Sequence, residues 1–272
     1  MTSELRTVDG RPTLRFERRL AHPIERVWTA ITEPAELKHW FPANIEGERK
    51  PGAKLRFTFD EHDIEATGGQ IVEYEPPRLF AYSWGESMLR FELTPDGDGC
   101  RLLFTHMLGG DEPWGDVLSA PRHAAGWDGC LRQLDAWLAG RTEELPKDFW
   151  FERSSHYLEA FGLDRPVEAD GRMRSVREIL RPVDAVWAAM VGERTPSVGD
   201  AVPAGLTAEG APGGPVTEVE PERVLAFDSP DGEVRWELTG NPVWTRVTVT
   251  RPSAAHPEAW QKALRDLSHH SQ

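Results

Sequence analysis

Alternation of apolar and polar positions resolves the first half of the chain into short strands framed by helices. LRFERRL (Leu14–Leu20) alternates with period two and predicts a strand. Pro23 then opens a helix through Trp28 and Ile31, and Thr32 with Pro34 restarts a short helical piece that ends at Trp40, where Pro42 breaks it. Five further runs keep the two-residue period: Lys54–Phe59, about Ile64–Tyr74, Leu79–Trp84, Met88–Leu93 and Arg101–Met107. Turn-forming clusters such as Pro-Gly-Ala, Glu-Pro-Pro and Asp-Gly-Asp-Gly separate them. From about Ala120 to Leu138 the period changes, and Trp127, Leu131, Leu134 and Leu138 recur at helical spacing. Strands joined by short turns can only pair antiparallel. The long amphipathic helix buries its stripe only by packing into the concave face of that sheet.

The pattern then recurs. Gly68–Thr94 aligns without a gap on Gly213–Thr239 at an offset of 145, with 11 of 27 positions identical, where about one or two would match by composition. HPIERVWTAI (His22–Ile31) answers RPVDAVWAAM (Arg181–Met190) at offset 159, and His123–Leu134 answers His256–Leu267 at offset 133. The offsets shrink by 14 and then by 12, so the second copy is a trimmed version of the first. A long unit present twice points to duplication of a whole domain, since solenoid units are shorter and need about three copies or more. The expected domains span 12–164 and 170–272. Between them, WFERSSHYLEAF has helical spacing and predicts a short docked helix, followed by a linker near Gly162–Gly171. The Pro- and Gly-rich stretch Gly192–Pro215 reads as irregular loop.

Charge narrows the partners. A formal net charge of −14 and a pI near 5.1 oppose a nucleic-acid partner, because phosphate binding requires clustered Lys and Arg. The sequence contains no 18-residue apolar stretch and no signal-peptide pattern, so neither a membrane partner nor export is expected, and the cytoplasm is the expected location. Two cysteines, Cys100 and Cys130, are too few for a disulfide framework or a cysteine metal site.

The runs RFERRLAHPIERVWTAITEPAELKHWF, GGQIVEYEPPRLFAYSW and GWDGCLRQLDAWL resemble the activator-of-heat-shock-protein-90-ATPase homologue family, part of the START/SRPBCC (Bet v 1-like) superfamily. The resemblance covers about residues 12–160 directly and 172–270 through the repeat. It implies an α+β protein of two tandem helix-grip domains, each a curved antiparallel sheet wrapped around a long C-terminal helix. In that fold the helix often stands away from the sheet and leaves a ligand cavity. Superfamily members include carriers of small molecules, polyketide cyclases and aromatases, and co-chaperone modules, so fold alone does not choose a function.

Strand parity selects the residues facing such a helix. Phe57 and Phe59, Tyr82 and Trp84, Phe91, and Phe104 and His106 share the inward face, with His123 and Trp127 opposite on the helix and Trp40 near the mouth. Each aromatic fits core packing as well as cavity lining, while His106 and Tyr82 bring polar groups that need partners when buried. These ten residues are the expected ligand-binding set for a small hydrophobic or aromatic molecule, held without metal or cofactor. The second copy has Arg251 in place of His106 and Ser229 in place of Trp84, so the first copy is expected to bind and the second to be structural. No nucleophile elbow, phosphate loop or zinc-helix motif occurs, and no catalytic residue is assigned. Tyr82 and His106 would serve a cyclase-, aromatase- or hydrolase-like enzyme in the same pocket, and a chaperone is the alternative partner that the family name implies. The cluster Asp60–Asp63 reads as a solvated turn, and His269 and His270 as a frayed terminus.

Overall fold

The computed structural model describes residues 2–59, 64–110, 115–252 and 254–269. The Asp60–Asp63 turn, residues 111–114 and His270 lie outside them. The chain divides into two compact units, Met1–Tyr157 and Leu158–Gln272.

The first unit runs β1 (Thr2–Val8), β2 (Arg11–Leu20), α1 (Ile24–Thr32), α2 (Pro34–Leu37), β3 (Asn44–Glu46), β4 (Lys54–Phe59), β5 (Ile64–Glu75), β6 (Leu79–Trp84), β7 (Ser87–Asp96), β8 (Gly99–Met107) and α3 (Ala120–Leu138), and then enters α4 (Phe149–Ala160). Its strands form one antiparallel sheet in the order β1-β2-β8-β7-β6-β5-β4-β3. The Pro23 carbonyl accepts the amides of Arg26 and Val27, which starts α1. Glu33, held extended ahead of Pro34, ends it. Leu131 and Leu134 of α3 are fully buried. Asp9 and Gly10, both at positive φ, close the β1–β2 hairpin, as a two-residue type I′ loop requires.

The second unit contains β9 (Val167–Ala169), β10 (Arg172–Ile179), α5 (Val183–Val191), β11 (Val216–Glu220), β12 (Val224–Ser229), β13 (Gly232–Gly240), β14 (Thr245–Arg251) and α6 (Pro257–His269). Its sheet order, β11-β12-β13-β14-β10-β9, repeats the first without counterparts of β3 and β4. The repeat extends to register. Phe16 pairs with Phe104 and Ser175 with Val249; Phe91 pairs with Phe104 and Trp236 with Val249. The irregularity between Ile71 and Glu73 recurs between Val216 and Glu218, and Asp170-Gly171 repeats the Asp9-Gly10 turn. Because a one-residue slip would turn every inward side chain outward, matched register means that equivalent residues face equivalent interiors. The 14 residues lost between the first helix and the central strands correspond to the β3–β4 hairpin, and Gly192–Pro215 occupies that interval with little regular structure.

A buried carboxylate ties the first unit together. Asp128 on α3 is fully buried; Arg18 of β2 donates Nη2–H to its Oδ1 at 2.9 Å, and Arg153 Nε of α4 lies 2.6 Å from Oδ2. Arg132, one turn further along α3, stands 3.7 Å from the same oxygen. Three segments therefore converge on one charge. Trp150, one turn before Arg153 on α4, packs over Gly129 so closely that a β-carbon there would collide with the indole. At Gly126, three residues earlier on α3, a β-carbon would meet nothing within 4 Å. Opposite outcomes are expected. Gly126→Ala should stabilise the unit by about 0.5–1 kcal/mol through helix propensity alone, whereas Gly129→Ala should destabilise it by displacing Trp150. Urea midpoints of the two variants that moved in the same direction would contradict this packing.

Candidate functional site

A cavity of about 790 Å³ lies between the sheet and the N-terminal half of α3 in the first unit. Sheet and helix each give one end of their inner surface to it. Phe59 ends β4, Trp84 ends β6 and His106 lies next to the end of β8, while Leu89 comes from the start of β7. From α3 come His123, Gly126, Trp127 and Cys130, the i, i+3, i+4, i+7 set of one helical face. One turn on, Leu131 and Leu134 belong to solid core.

The ten expected residues fall into two layers. Phe59, Trp84, His106, His123 and Trp127 stand on the cavity wall. Trp40, Phe57, Tyr82, Phe91 and Phe104 are at most 2 % exposed and form the packed layer behind it. Phe57 stacks on Trp84 at 4.7 Å between ring centroids, and Phe104 meets Trp127 at 4.5 Å, so the second layer fixes the rings of the first. Trp40 donates its indole N–H to the Ala30 carbonyl at 2.9 Å, which turns it away from the cavity mouth. Burial raises the Tyr82 hydroxyl pKa well above the ordinary phenol range.

Trp150, Gly126 and Cys130 also line the cavity. Trp150 and Gly126 are not among the ten expected residues, whereas Cys130 shares the helix face of His123 and Trp127. Trp150 lies on α4, outside the strand and long-helix patterns. The signal for it was the pair Gly126 and Gly129 inside a helix, where glycine is unfavourable unless something approaches closely or space is needed. Cys130 is buried and its thiol is pushed up to about 12, so it remains a neutral part of the wall. The rim is braced by Arg11, whose Nε–H donates to the Leu108 carbonyl at 2.9 Å and whose Nη2 reaches the Glu86 carbonyl. Among the described residues no group of three or more His, Cys, Asp or Glu side chains converges as a metal site.

His106 is an oriented polar group of the wall, which also carries Glu86, Ser87, Arg122 and His123. It is 5 % exposed, and the Trp127 indole N–H donates to its Nδ1 at 2.9 Å. Burial, reinforced by the nearby charges of His123 and Arg11, holds its pKa well below the usual histidine value of 6.5. The folded chain thus keeps the ring neutral while the unfolded chain protonates it. This contribution to stability is complete above 6.5 and is lost as the pH falls from there toward the lower folded value. Between pH 7.5 and 5.5 the wild-type chain should lose about 1 kcal/mol more stability than His106→Leu, measured by urea unfolding at both values. Equal losses would contradict a buried neutral ring.

In the second unit the matched positions are occupied. Arg251 replaces His106 and is 2 % exposed; its guanidinium lies 5.8 Å from the ring centroid of Trp260, the counterpart of Trp127. Trp236, Phe227 and Val234 complete a buried apolar cluster with α6.

Solved structures similar to part of the chain include CalU16 from Micromonospora echinospora, at 21% identity over 59% of this chain and 95% of that one, with a TM-score of 0.45. A conserved protein of unknown function from Enterococcus faecalis, EF2215, matches at 21% identity over 58% and 89%, with a TM-score of 0.48. A third, MLL2253 from Mesorhizobium loti, matches at 22% over 48% and 99%, with a TM-score of 0.41. With TM-scores below 0.5, none of these likenesses bears on function. No curated protein matches. The family model described as Activator of Hsp90 ATPase homolog 1-like protein matches residues 21–139, from the start of α1 to the end of α3. That match covers most of the first unit, whose helix-grip fold and strand register are repeated in the second.

Proposed function

We propose that the first unit binds a small, largely apolar or aromatic molecule in the cavity between its sheet and α3, and that the second unit is a structural partner that carries no ligand. The supporting observation is the hollow end of the grip: about 790 Å³ walled by Phe59, Trp84, Trp127 and Trp150, within the range of about 300–1,000 Å³ usual for small-molecule sites. Binding rests on removal of apolar surface from water, with His106 as the orienting polar contact. Binding is preferred to turnover because the Cys130 thiol stays protonated and Tyr82 lies behind the wall. A chaperone partner is suggested by the family name alone.

Isothermal titration of the full chain with 2-acetylnaphthalene, a bicyclic aromatic ketone small enough for the cavity, should give saturable binding at one site. Trp84→Ala, which removes one wall, should weaken it at least about tenfold, as expected for loss of a large buried contact. Absence of saturable binding would overturn the reading.

A further inference from the structure

We propose that the ligand is an aromatic molecule presenting an oxygen hydrogen-bond acceptor, such as a carbonyl, and that Trp127 sets this preference by fixing the His106 proton on Nε2. The proposal deepens the reading of the cavity as a binding site and rests on it.

An indole nitrogen can only donate, so the 2.9 Å contact from Trp127 Nε1 to His106 Nδ1 requires a lone pair on Nδ1. A neutral imidazole carries one proton, which must then sit on Nε2. Protonating both nitrogens would set N–H against N–H. His106 is therefore locked as an acceptor toward α3 and a donor elsewhere. Its ring forms part of the cavity wall, and no acceptor for Nε2 is found among the described residues. The cavity wall sets aromatic rings beside Glu86, Ser87 and Arg122, and with the Trp127 N–H already engaged the Nε2–H is the donor His106 offers at the ligand space. The Arg11 guanidinium adds positive charge at this end, which favours an electron-rich oxygen over an amine.

The duplicated unit provides an internal comparison in the same register. There the equivalent basic group, Arg251, donates Nη1–H to the Ala255 carbonyl at 3.2 Å and lies over the Trp260 ring. Its pairing with the final helix is retained while its donors turn into the protein. In the first unit the ring stands on the cavity wall, and the described residues offer its Nε2–H no acceptor.

The test compares 2-acetylnaphthalene with 2-isopropenylnaphthalene, which has the same shape but a CH₂ group in place of the carbonyl oxygen. Titration calorimetry on the full chain should show the ketone binding about tenfold or more tightly, the ratio expected when a buried donor is satisfied in one complex and left unmade in the other. In His106→Leu the ratio should fall to about one, and in Trp127→Phe it should drop at least threefold. The wild-type protein gives a reading independent of any variant's folding: long-range ¹H–¹⁵N spectra of His106 should show a pyridine-type Nδ1 and a pyrrole-type Nε2, and Trp127→Phe should lose that single-tautomer signature. Equal affinities for ketone and alkene in the wild type, or a proton on Nδ1, would overturn the proposal while leaving the cavity a binding site. Failure of both probes to bind would overturn the cavity reading and this proposal with it.

Discussion

Replacing Asp128 by Ala should destabilise the first unit by about 3–5 kcal/mol, the range seen when one partner of a buried ion pair is removed. The carboxylate is fully buried, and Arg18, whose side chain is 13% exposed, donates to it at 2.9 Å. Without it that guanidinium keeps its desolvation penalty and loses its counter-charge. Arg153 loses its anchor as well, so α4 is released at the point where Trp150 contributes to the cavity wall. Urea unfolding followed by tryptophan fluorescence should show an early transition for the first unit. Asp128→Asn, which keeps the shape and removes the charge, should fall between wild type and Ala. A shift below about 1 kcal/mol for the Ala variant would show that the three arginines are satisfied without the acid.

Gly126→Phe should abolish ligand binding, reducing affinity for 2-acetylnaphthalene by about a hundredfold or more, because a benzyl group there projects from the cavity-facing side of α3 into open volume. The same substitution removes a helix-interior glycine and meets no atom at its β-carbon, so the urea midpoint should hardly change. Loss of binding with retained stability separates occlusion from misfolding. Gly126→Phe that still binds the ketone with wild-type affinity would place the ligand elsewhere.

The repeat made the architecture legible before any coordinates, since two copies of one pattern constrain each other. Its offsets of 159 and 145 reappear as pairing registers, down to the irregularity in β5 and β11. The edge strands β1 and β9 escaped the alternation reading, because β1 interleaves charges and β9 has three residues. Their Asp-Gly turns were the available signal. Site residues were legible only to the level of a face. Parity says which side of the sheet a residue occupies, and both Tyr82 and Trp84 satisfy it. Whether such a residue meets a cavity or a core depends on its distance along the strand from the open end, a property of how far α3 reaches across the sheet. Trp150 illustrates the other limit. It joins the wall from a separate helix, held there by Asp128 and admitted by the missing side chain of Gly129, and no local periodicity encodes such a meeting.

Diffraction from crystals of the full chain pressurised with xenon tests the contrast between the two halves most directly, because xenon enters apolar cavities and is excluded from close-packed core. Anomalous peaks are expected between Trp84, Trp127 and Trp150, with none inside the cluster of Phe227, Trp236 and Trp260. Xenon in the second cluster, or a first unit without a peak, would contradict a chain with one hollow and one solid grip.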